Sequence, residues 1–295
     1  MTNPANREIW LILFIMLICM GSCAAGTWLI ARKLPRSANV VLAGLSTAAM
    51  LLFGRFLTDS VWIADIVPAR WLPVFGNWLP LLAGLLVGFG WEISSSDKRT
   101  KAMLFGALLL LSLVLPYRML FQSRPAVTNQ WQYGVCLQST DATCGAAAAA
   151  TLLSTVGISS TEEEMVNLCF STWKGTSMHG IIRGLAVKLQ GSEWRVRARE
   201  MSVQDMEKLE ASAILEVGLQ NGIPEDLRYV TQWGWILGVQ HTAVLFGVMP
   251  DGNLDIGDPT TGREIWRPEA LKVLWQGTAI TLERRDNRAS PKSGQ

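Results

Sequence analysis

Long apolar runs dominate the first 123 residues, whereas charged residues return at short intervals from about residue 124 onward. Four of these runs are suited to helices that cross a bilayer core of about 30 Å. They are predicted at residues 9–31, 38–54, 72–91 and 102–121. The pattern therefore predicts an all-α, four-helix transmembrane region at 1–123, a globular domain at 124–284 and a disordered tail at 285–295.

Beyond residue 124 the pattern predicts helices first and strands afterwards. Helices are predicted directly after Cys144, after the capping box at residues 161–164, and at about 178–190. Strands follow at residues 213–219, 241–248, 253–257, 263–266 and 279–283. Segregated helices and strands predict an α+β domain whose helices pack on a mainly antiparallel sheet.

The composition agrees with a membrane location. A mean hydropathy of +0.25 is high for a soluble protein. Lys and Arg residues in short loops predict the orientation, and six lie on one side of the predicted helices against five on the other. The six form two tight clusters: Arg32, Lys33 and Arg36, and Lys98, Arg99 and Lys101. Placing these clusters in the cytoplasm puts the domain at 124–284 outside the cytoplasm.

Several classes of partner and cofactor are disfavoured. A net charge of +2 without a basic stripe argues against a nucleic-acid partner. There is no Gly-x4-Gly-Lys-Ser/Thr run, so no nucleotide is expected. The five cysteines have neither metal-site spacing nor the pattern of a disulfide framework, so no metal or other cofactor is expected. Cys136 and Cys169 are interpreted as buried and unpaired, with a disulfide as the alternative if the domain lies outside.

The stretch from Gln138 to Gly145 carries the strongest chemical signal. Cys144 and Gly145 end a polar, turn-prone segment and open a run of alanines, which places Cys144 at a helix N-terminus. Unpaired backbone N–H groups and the helix dipole favour a thiolate there. The amide of Gln138 stands six residues upstream, where it can serve as an oxyanion donor.

A cysteine nucleophile needs a base, and the chain has two histidines. His241 begins a predicted strand, and Asp258 ends the next one. An antiparallel pair joined by the turn at residues 250–252 can bring these two side chains together. His179 is the other candidate, in the first turn of a predicted helix and without an evident carboxylate partner. Alone, each residue would more often be structural.

In combination these motifs resemble those of the bacteriocin-processing cysteine peptidases, the papain-like double-glycine leader peptidases. The resemblance rests on Gln138-x5-Cys144-Gly145, on the loop at residues 175–177, on the strand that His241 opens, and on Asp258-Pro259. It covers residues 131–283. It implies a papain-like fold in which Cys144 is the nucleophile, His241 the base, Asp258 its orienting group and Gln138 an oxyanion donor. The sequence departs from the family at Thr143, where the family usually has an acidic residue.

The resemblance implies cleavage after a small-residue pair such as Gly-Gly or Gly-Ala. The prediction is a membrane-anchored cysteine endopeptidase of a bacterial inner membrane, with a peptide or protein substrate. Its other partners are the lipid bilayer and a membrane protein that contacts the helices. Two alternatives stay open: a non-catalytic peptide-binding or scaffold protein of the same fold, and another papain-like amide hydrolase or transamidase.

Overall fold

The computed structural model describes residues 4–114, 122–206, 209, 211–219, 228–231, 235 and 237–285. The chain forms two compact units, Met1–Gln122 and Ser123–Gln295. Within the described residues, the first unit is helical and the second combines helices with two antiparallel sheets. Residues 286–295 of the predicted tail lie outside the described part of the chain.

The described part of the first unit contains six α-helices, a π-helical turn at Phe53–Leu57 and a 3₁₀ turn at Ala69–Trp71. The helices are α1 (Pro4–Ala31), α2 (Arg36–Leu52), α3 (Ile63–Ile66), α4 (Leu72–Phe75), α5 (Leu79–Ile93) and α6 (Lys98–Ser112). Within the part of the chain that the structure describes, three stretches are long and apolar enough to cross a membrane: Trp10–Ala31, Arg36–Leu57 and Ala69–Ile93.

The fourth predicted segment is only partly described. It begins within α6, and its residues 115–121 fall outside the described part. The count of four transmembrane helices therefore stays a prediction.

Two glycines allow α5 to pack closely against α1. A Cβ atom at Gly84 would lie 2.8 Å from the carbonyl oxygen of Met20, and one at Gly88 would lie 1.8 Å from Oγ1 of Thr27. Small residues that let backbones approach are the usual basis of helix packing in an apolar surrounding. The Gly-x-x-x-Gly spacing of Gly84 and Gly88 therefore serves a contact within the chain.

The second unit begins with the hairpin β1 (Trp131–Gln132) and β2 (Val135–Cys136), followed by three helices. These are α7 (Cys144–Thr155), α8 (Glu162–Leu168) and α9 (Met178–Lys188). Later elements are β3 (Trp194–Glu200), α10 (Val203–Met206), β4 (Ala213–Gly218), α11 (Arg228–Thr231), β5 (Gln240–Val248), β6 (Leu254–Asp258), β7 (Gly262–Trp266), α12 (Pro268–Leu274) and β8 (Trp275–Arg284).

The main sheet has six strands in the order β3-β8-β4-β5-β6-β7, and all its neighbours are antiparallel. The helix α7 packs between this sheet and the helices α8 and α9. All ten residues from Cys144 to Leu153 are buried, because alanine side chains leave room for close approach on every face. The predicted α+β fold, with helices on an antiparallel sheet, is confirmed.

Several described elements were absent from the sequence-based prediction, among them β3, α12 and the hairpin of β1 and β2. The strand β3 alternates Arg with apolar residues and lies at an edge of the sheet, where charged residues are common. Its high charge obscured the alternation that predicts a half-buried strand. The helix α12 has only seven residues, with Pro268 at its start, and is too short for a clear apolar period. The hairpin of β1 and β2 has two residues per strand, below the length at which alternation can be read.

The packing of α1 against α5 predicts a difference between two glycines. Gly88→Ala should lower the free energy of unfolding by roughly 1–3 kcal/mol, because its Cβ would overlap Thr27. Gly44→Ala in α2 is the control, since a Cβ there meets nothing within 4 Å and alanine favours helices. Thermal unfolding of the full chain in detergent measures both, and equal melting temperatures would contradict the packing described.

Candidate active site

Cys144 occupies the first position of α7 and is 9% exposed. Its place at the helix start is fixed by close contacts around Gly145. A Cβ atom at Gly145 would lie 2.9 Å from the Ile181 side chain and 3.0 Å from that of Thr176. Only glycine fits there without displacing α9 or the loop before it. Backbone N–H groups of the first helical turn surround the thiol, where they favour a negative charge.

The side chains of His241 and Asp258 meet across the neighbouring strands β5 and β6. Nε2 of His241 lies 2.8 Å from Oδ1 of Asp258, whose side chain is fully buried. The backbone N–H of Thr260 donates to the same oxygen over 2.8 Å. Since Nε2 is engaged by the carboxylate, Nδ1 is the ring nitrogen available to the Cys144 thiol, with which the imidazole is hydrogen-bonded.

Cys144 and His241 shift each other's pKa, and Asp258 also acts on the pKa of His241. Burial alone would raise the pKa of Cys144, but the hydrogen bond and charge of His241 hold that pKa below its ordinary value. Burial would likewise lower the pKa of His241. The hydrogen bonds to Asp258 and Cys144, and the charges of both groups, raise the pKa of His241 to about 10 instead. The arrangement therefore favours a thiolate–imidazolium pair near neutral pH.

Trp235 completes this arrangement and was not singled out in the sequence. Its indole Nε1 donates to Oδ2 of Asp258 over 3.1 Å, and its ring centroid lies 4.7 Å from that of His241. At 5% exposure, the indole covers the hydrogen bond between His241 and Asp258 from solvent. The only signal in the sequence was a tryptophan six residues before His241, and no local rule connects such a residue to a carboxylate 23 positions later.

Gln138 lies beside the same turn. Its backbone N–H donates to the carbonyl oxygen of Pro259 over 2.8 Å, so the residue after Asp258 holds the backbone of Gln138. The side-chain Oε1 of Gln138 is buried and has no hydrogen-bond partner within the described part of the chain. Unpaired buried polar atoms are rare in folded proteins, and each calls for a specific explanation, such as a catalytic role.

Thr143 closes the loop between Gln138 and Cys144. Its fully buried hydroxyl oxygen accepts the backbone N–H groups of Ser139 and Thr140, each over 3.1 Å. The hydroxyl in turn donates to the carbonyl of Thr140 over 2.9 Å. At this position a neutral hydroxyl thus provides the acceptor that draws the loop together.

The remaining candidates lie apart from this chemistry. His179 is buried in the first turn of α9, at 5% exposure, and the imidazole that contacts Cys144 and Asp258 is that of His241. Cys136 and Cys169 are buried free thiols, and burial is the main reason that the pKa of each is raised to about 12. No group of three or more His, Cys, Asp or Glu residues suited to a metal ion occurs among the described residues.

A family model described as the peptidase C39 family matches residues 132–287. This chain belongs to the peptidase C39 family. The resemblance to double-glycine leader peptidases is confirmed for this segment. The C39 segment contains Gln138, Cys144, His241 and Asp258, the residues that the sequence motifs single out.

Similar proteins and solved structures cover about half of this chain. An uncharacterized protein of Methanothermobacter thermautotrophicus is 27% identical over 150 residues, which are 51% of this chain and 88% of that protein. The peptidase domain of Streptococcus ComA, a bifunctional ABC transporter involved in quorum sensing, is 23% identical. It covers 52% of this chain and 100% of its own, with a TM-score of 0.40.

A further solved structure is that of a double glycine motif protease from an AMS/PCAT transporter, in complex with the leader peptide. It is 16% identical, covers 56% of this chain and 100% of its own, and has a TM-score of 0.40.

The ionisation of the three cysteines in the C39 segment predicts selective alkylation. Iodoacetamide at about pH 6 should modify Cys144 roughly tenfold or more faster than Cys136 or Cys169, because only the pKa of Cys144 is lowered. Peptide mapping by mass spectrometry after timed labelling measures the three rates. The denatured chain is the control and should label all three similarly, whereas equal rates in the folded chain would contradict the proposed ionisation.

Proposed function

We propose that this chain is a membrane-anchored cysteine endopeptidase whose nucleophile is Cys144. The observation that carries the proposal is the contact of one imidazole, that of His241, with both the Cys144 thiol and the buried carboxylate of Asp258. The family shown by the C39 segment supplies the reaction class, since its model describes peptidases.

In the proposed mechanism, the Cys144 thiolate attacks the carbonyl carbon of the scissile peptide bond. The carbonyl oxygen becomes an oxyanion, which the backbone N–H of Cys144 and the side-chain amide of Gln138 stabilise. The imidazolium of His241 then gives its proton to the leaving amine as the carbon–nitrogen bond breaks, which leaves a thioester on Cys144. Water, deprotonated by the neutral imidazole, hydrolyses the thioester, releases the carboxylate product and restores the ion pair.

Asp258 and Trp235 serve the base in this mechanism. Asp258 orients the imidazole through Nε2 and stabilises its positive charge. The indole of Trp235 holds the second carboxylate oxygen and excludes water from the bond between Asp258 and His241. In a less polar surrounding this charge-assisted hydrogen bond is stronger than it would be in water.

The proposed substrate is a peptide or protein cleaved after a small-residue pair such as Gly-Gly or Gly-Ala. Support comes from the resemblance to double-glycine leader peptidases within the family. Anchoring in a lipid bilayer is supported by the three helical stretches, among the described residues, that are long and apolar enough to cross a membrane. The distribution of Lys and Arg supports a peptidase domain outside the cytoplasm, where it would meet a substrate after export. The same helices are the proposed contact for a membrane-protein partner.

The test is hydrolysis of peptides that contain a Gly-Gly or a Gly-Ala pair by the purified full chain in detergent. Cys144→Ala should abolish cleavage, and His241→Ala should lower kcat by roughly 10³-fold or more, since members of a triad act as a unit. His179→Ala is the matched histidine control and should retain most of the activity.

Melting temperatures of the three variants identify any that are misfolded, and product masses distinguish hydrolysis from transamidation. Full activity of a folded Cys144→Ala variant would refute the proposal. If His179→Ala were inactive and His241→Ala active, the assignment of the base would be wrong.

A further inference from the structure

Glu162 is a fully buried carboxylate that the proposed mechanism does not use. It is the first residue of α8 and has 0% exposure, whereas its neighbour Glu163 is exposed. Removing a carboxylate from water is strongly unfavourable unless hydrogen bonds replace its hydration. A buried position for Glu162 therefore calls for specific donors.

Both donors come from Ser139, the residue after Gln138. The backbone N–H of Ser139 donates to Oε1 of Glu162 over 2.7 Å, and its hydroxyl donates to Oε2 over 2.5 Å. The same hydroxyl accepts the backbone N–H of Thr128 over 2.7 Å and lies 2.9 Å from the hydroxyl of Thr128. Since a carboxylate only accepts, the Ser139 proton is directed to Glu162. Hydrogen bonds to a charged acceptor are about twice as strong as neutral ones.

These bonds hold the backbone directly beside the Gln138 side chain. On one side of that side chain the backbone N–H of Gln138 is bound to Pro259, and on the other the backbone N–H of Ser139 is bound to Glu162. The side-chain oxygen of Gln138 has no partner of its own within the described residues. The placement of its amide thus depends on these backbone bonds, in which the Ser139 N–H is shared between the nearer Glu162, at 2.7 Å, and the hydroxyl of Thr143, at 3.1 Å.

We propose that Glu162 is a positioning residue for the oxyanion site: it fixes the Gln138–Ser139 backbone so that the Gln138 amide stands ready for the substrate carbonyl. The inference rests on the proposed peptidase function. Glu162 acts through Ser139 and Gln138 and touches neither the substrate nor Cys144.

Glu162→Gln tests the inference with little change in volume. The variant keeps an acceptor for the Ser139 N–H, but it removes the charge and places an N–H donor against the Ser139 hydroxyl. Glu163→Gln is the matched control, because it removes the same charge one residue away on the exposed side of the same helix.

Two reactions of the full chain in detergent separate positioning from general damage. Hydrolysis of a Gly-Gly peptide passes through an oxyanion, whereas alkylation of Cys144 by iodoacetamide does not. Glu162→Gln should lower kcat roughly 10-fold or more, up to the ~10²-fold expected for loss of one oxyanion donor, with little change in KM. The rate of Cys144 alkylation should be unchanged, and Glu163→Gln should match the wild type in both reactions.

A double-mutant cycle tests whether Glu162 acts through Gln138. In a Gln138→Ala background the effect of Glu162→Gln should fall to less than about twofold, because the donor that it positions is gone. If Glu162→Gln lowers the melting temperature sharply, Ser139→Ala replaces it. That variant keeps the backbone N–H bond to Glu162 but removes the hydroxyl bond to Glu162 together with the hydroxyl's bonds to Thr128. It should lower kcat by a smaller factor, again without changing alkylation.

Each outcome decides the inference. It is overturned if a folded Glu162→Gln or Ser139→Ala variant has the same kcat as Glu163→Gln. It is also overturned if alkylation of Cys144 slows in parallel with hydrolysis, or if the losses of kcat from Glu162→Gln and Gln138→Ala multiply in the double variant. A wild-type chain that alkylates at Cys144 but cleaves no Gly-Gly or Gly-Ala peptide would instead reject the proposed function on which the inference rests.

Discussion

The buried hydrogen bond between His241 and Asp258 is the interaction on which the rest of the site depends. The fully buried carboxylate is held by three donors: Nε2 of His241, the backbone N–H of Thr260 and the indole of Trp235. Removing one partner of a buried charged pair typically costs about 3–5 kcal/mol, because the other charge is left unpaired. The sheet pairing of β5 with β6 is what sets the two side chains side by side.

The turn at Asp258 and Pro259 connects this hydrogen bond to Gln138, the proposed oxyanion donor. Asp258 directs its side chain to His241, while the carbonyl of the next residue, Pro259, accepts the backbone N–H of Gln138. The orientation of the proposed base and the position of the proposed oxyanion donor therefore depend on the same turn. Glu162 and Thr143 accept hydrogen bonds from Ser139, the next residue of the Gln138 loop. Gly145 allows α7 to pack closely at its first turn, where Cys144 lies. The arrangement is preorganised, which is what stabilisation of a developing charge requires.

Local sequence patterns indicated Cys144, His241 and Asp258 only in combination, through their resemblance to one family of peptidases. A cysteine before an alanine run, a histidine at a strand start and an Asp-Pro turn each have a short-range signature, and the structure brings these residues together. Trp235 and Glu162 have none. Trp235 meets Asp258 only through the tertiary fold, and Glu162 looked like an ordinary acidic residue of a helix first turn. Its burial follows from the position of a loop more than 20 residues away in the sequence.

In the proposed mechanism Cys144 is a thiolate because Asp258 keeps the neighbouring imidazole of His241 charged. The most direct measurement is the ultraviolet absorbance of the thiolate across pH, taken as the full chain minus its Cys144→Ser variant. Cys144 should ionise below its ordinary pKa, and His241 should keep its proton until about pH 10, so the ion pair spans neutral pH and is lost on either side. In Asp258→Asn the thiolate should appear only at higher pH. A wild-type thiolate that appears at the ordinary pKa of cysteine, or a titration that Asp258→Asn leaves unchanged, would contradict the account.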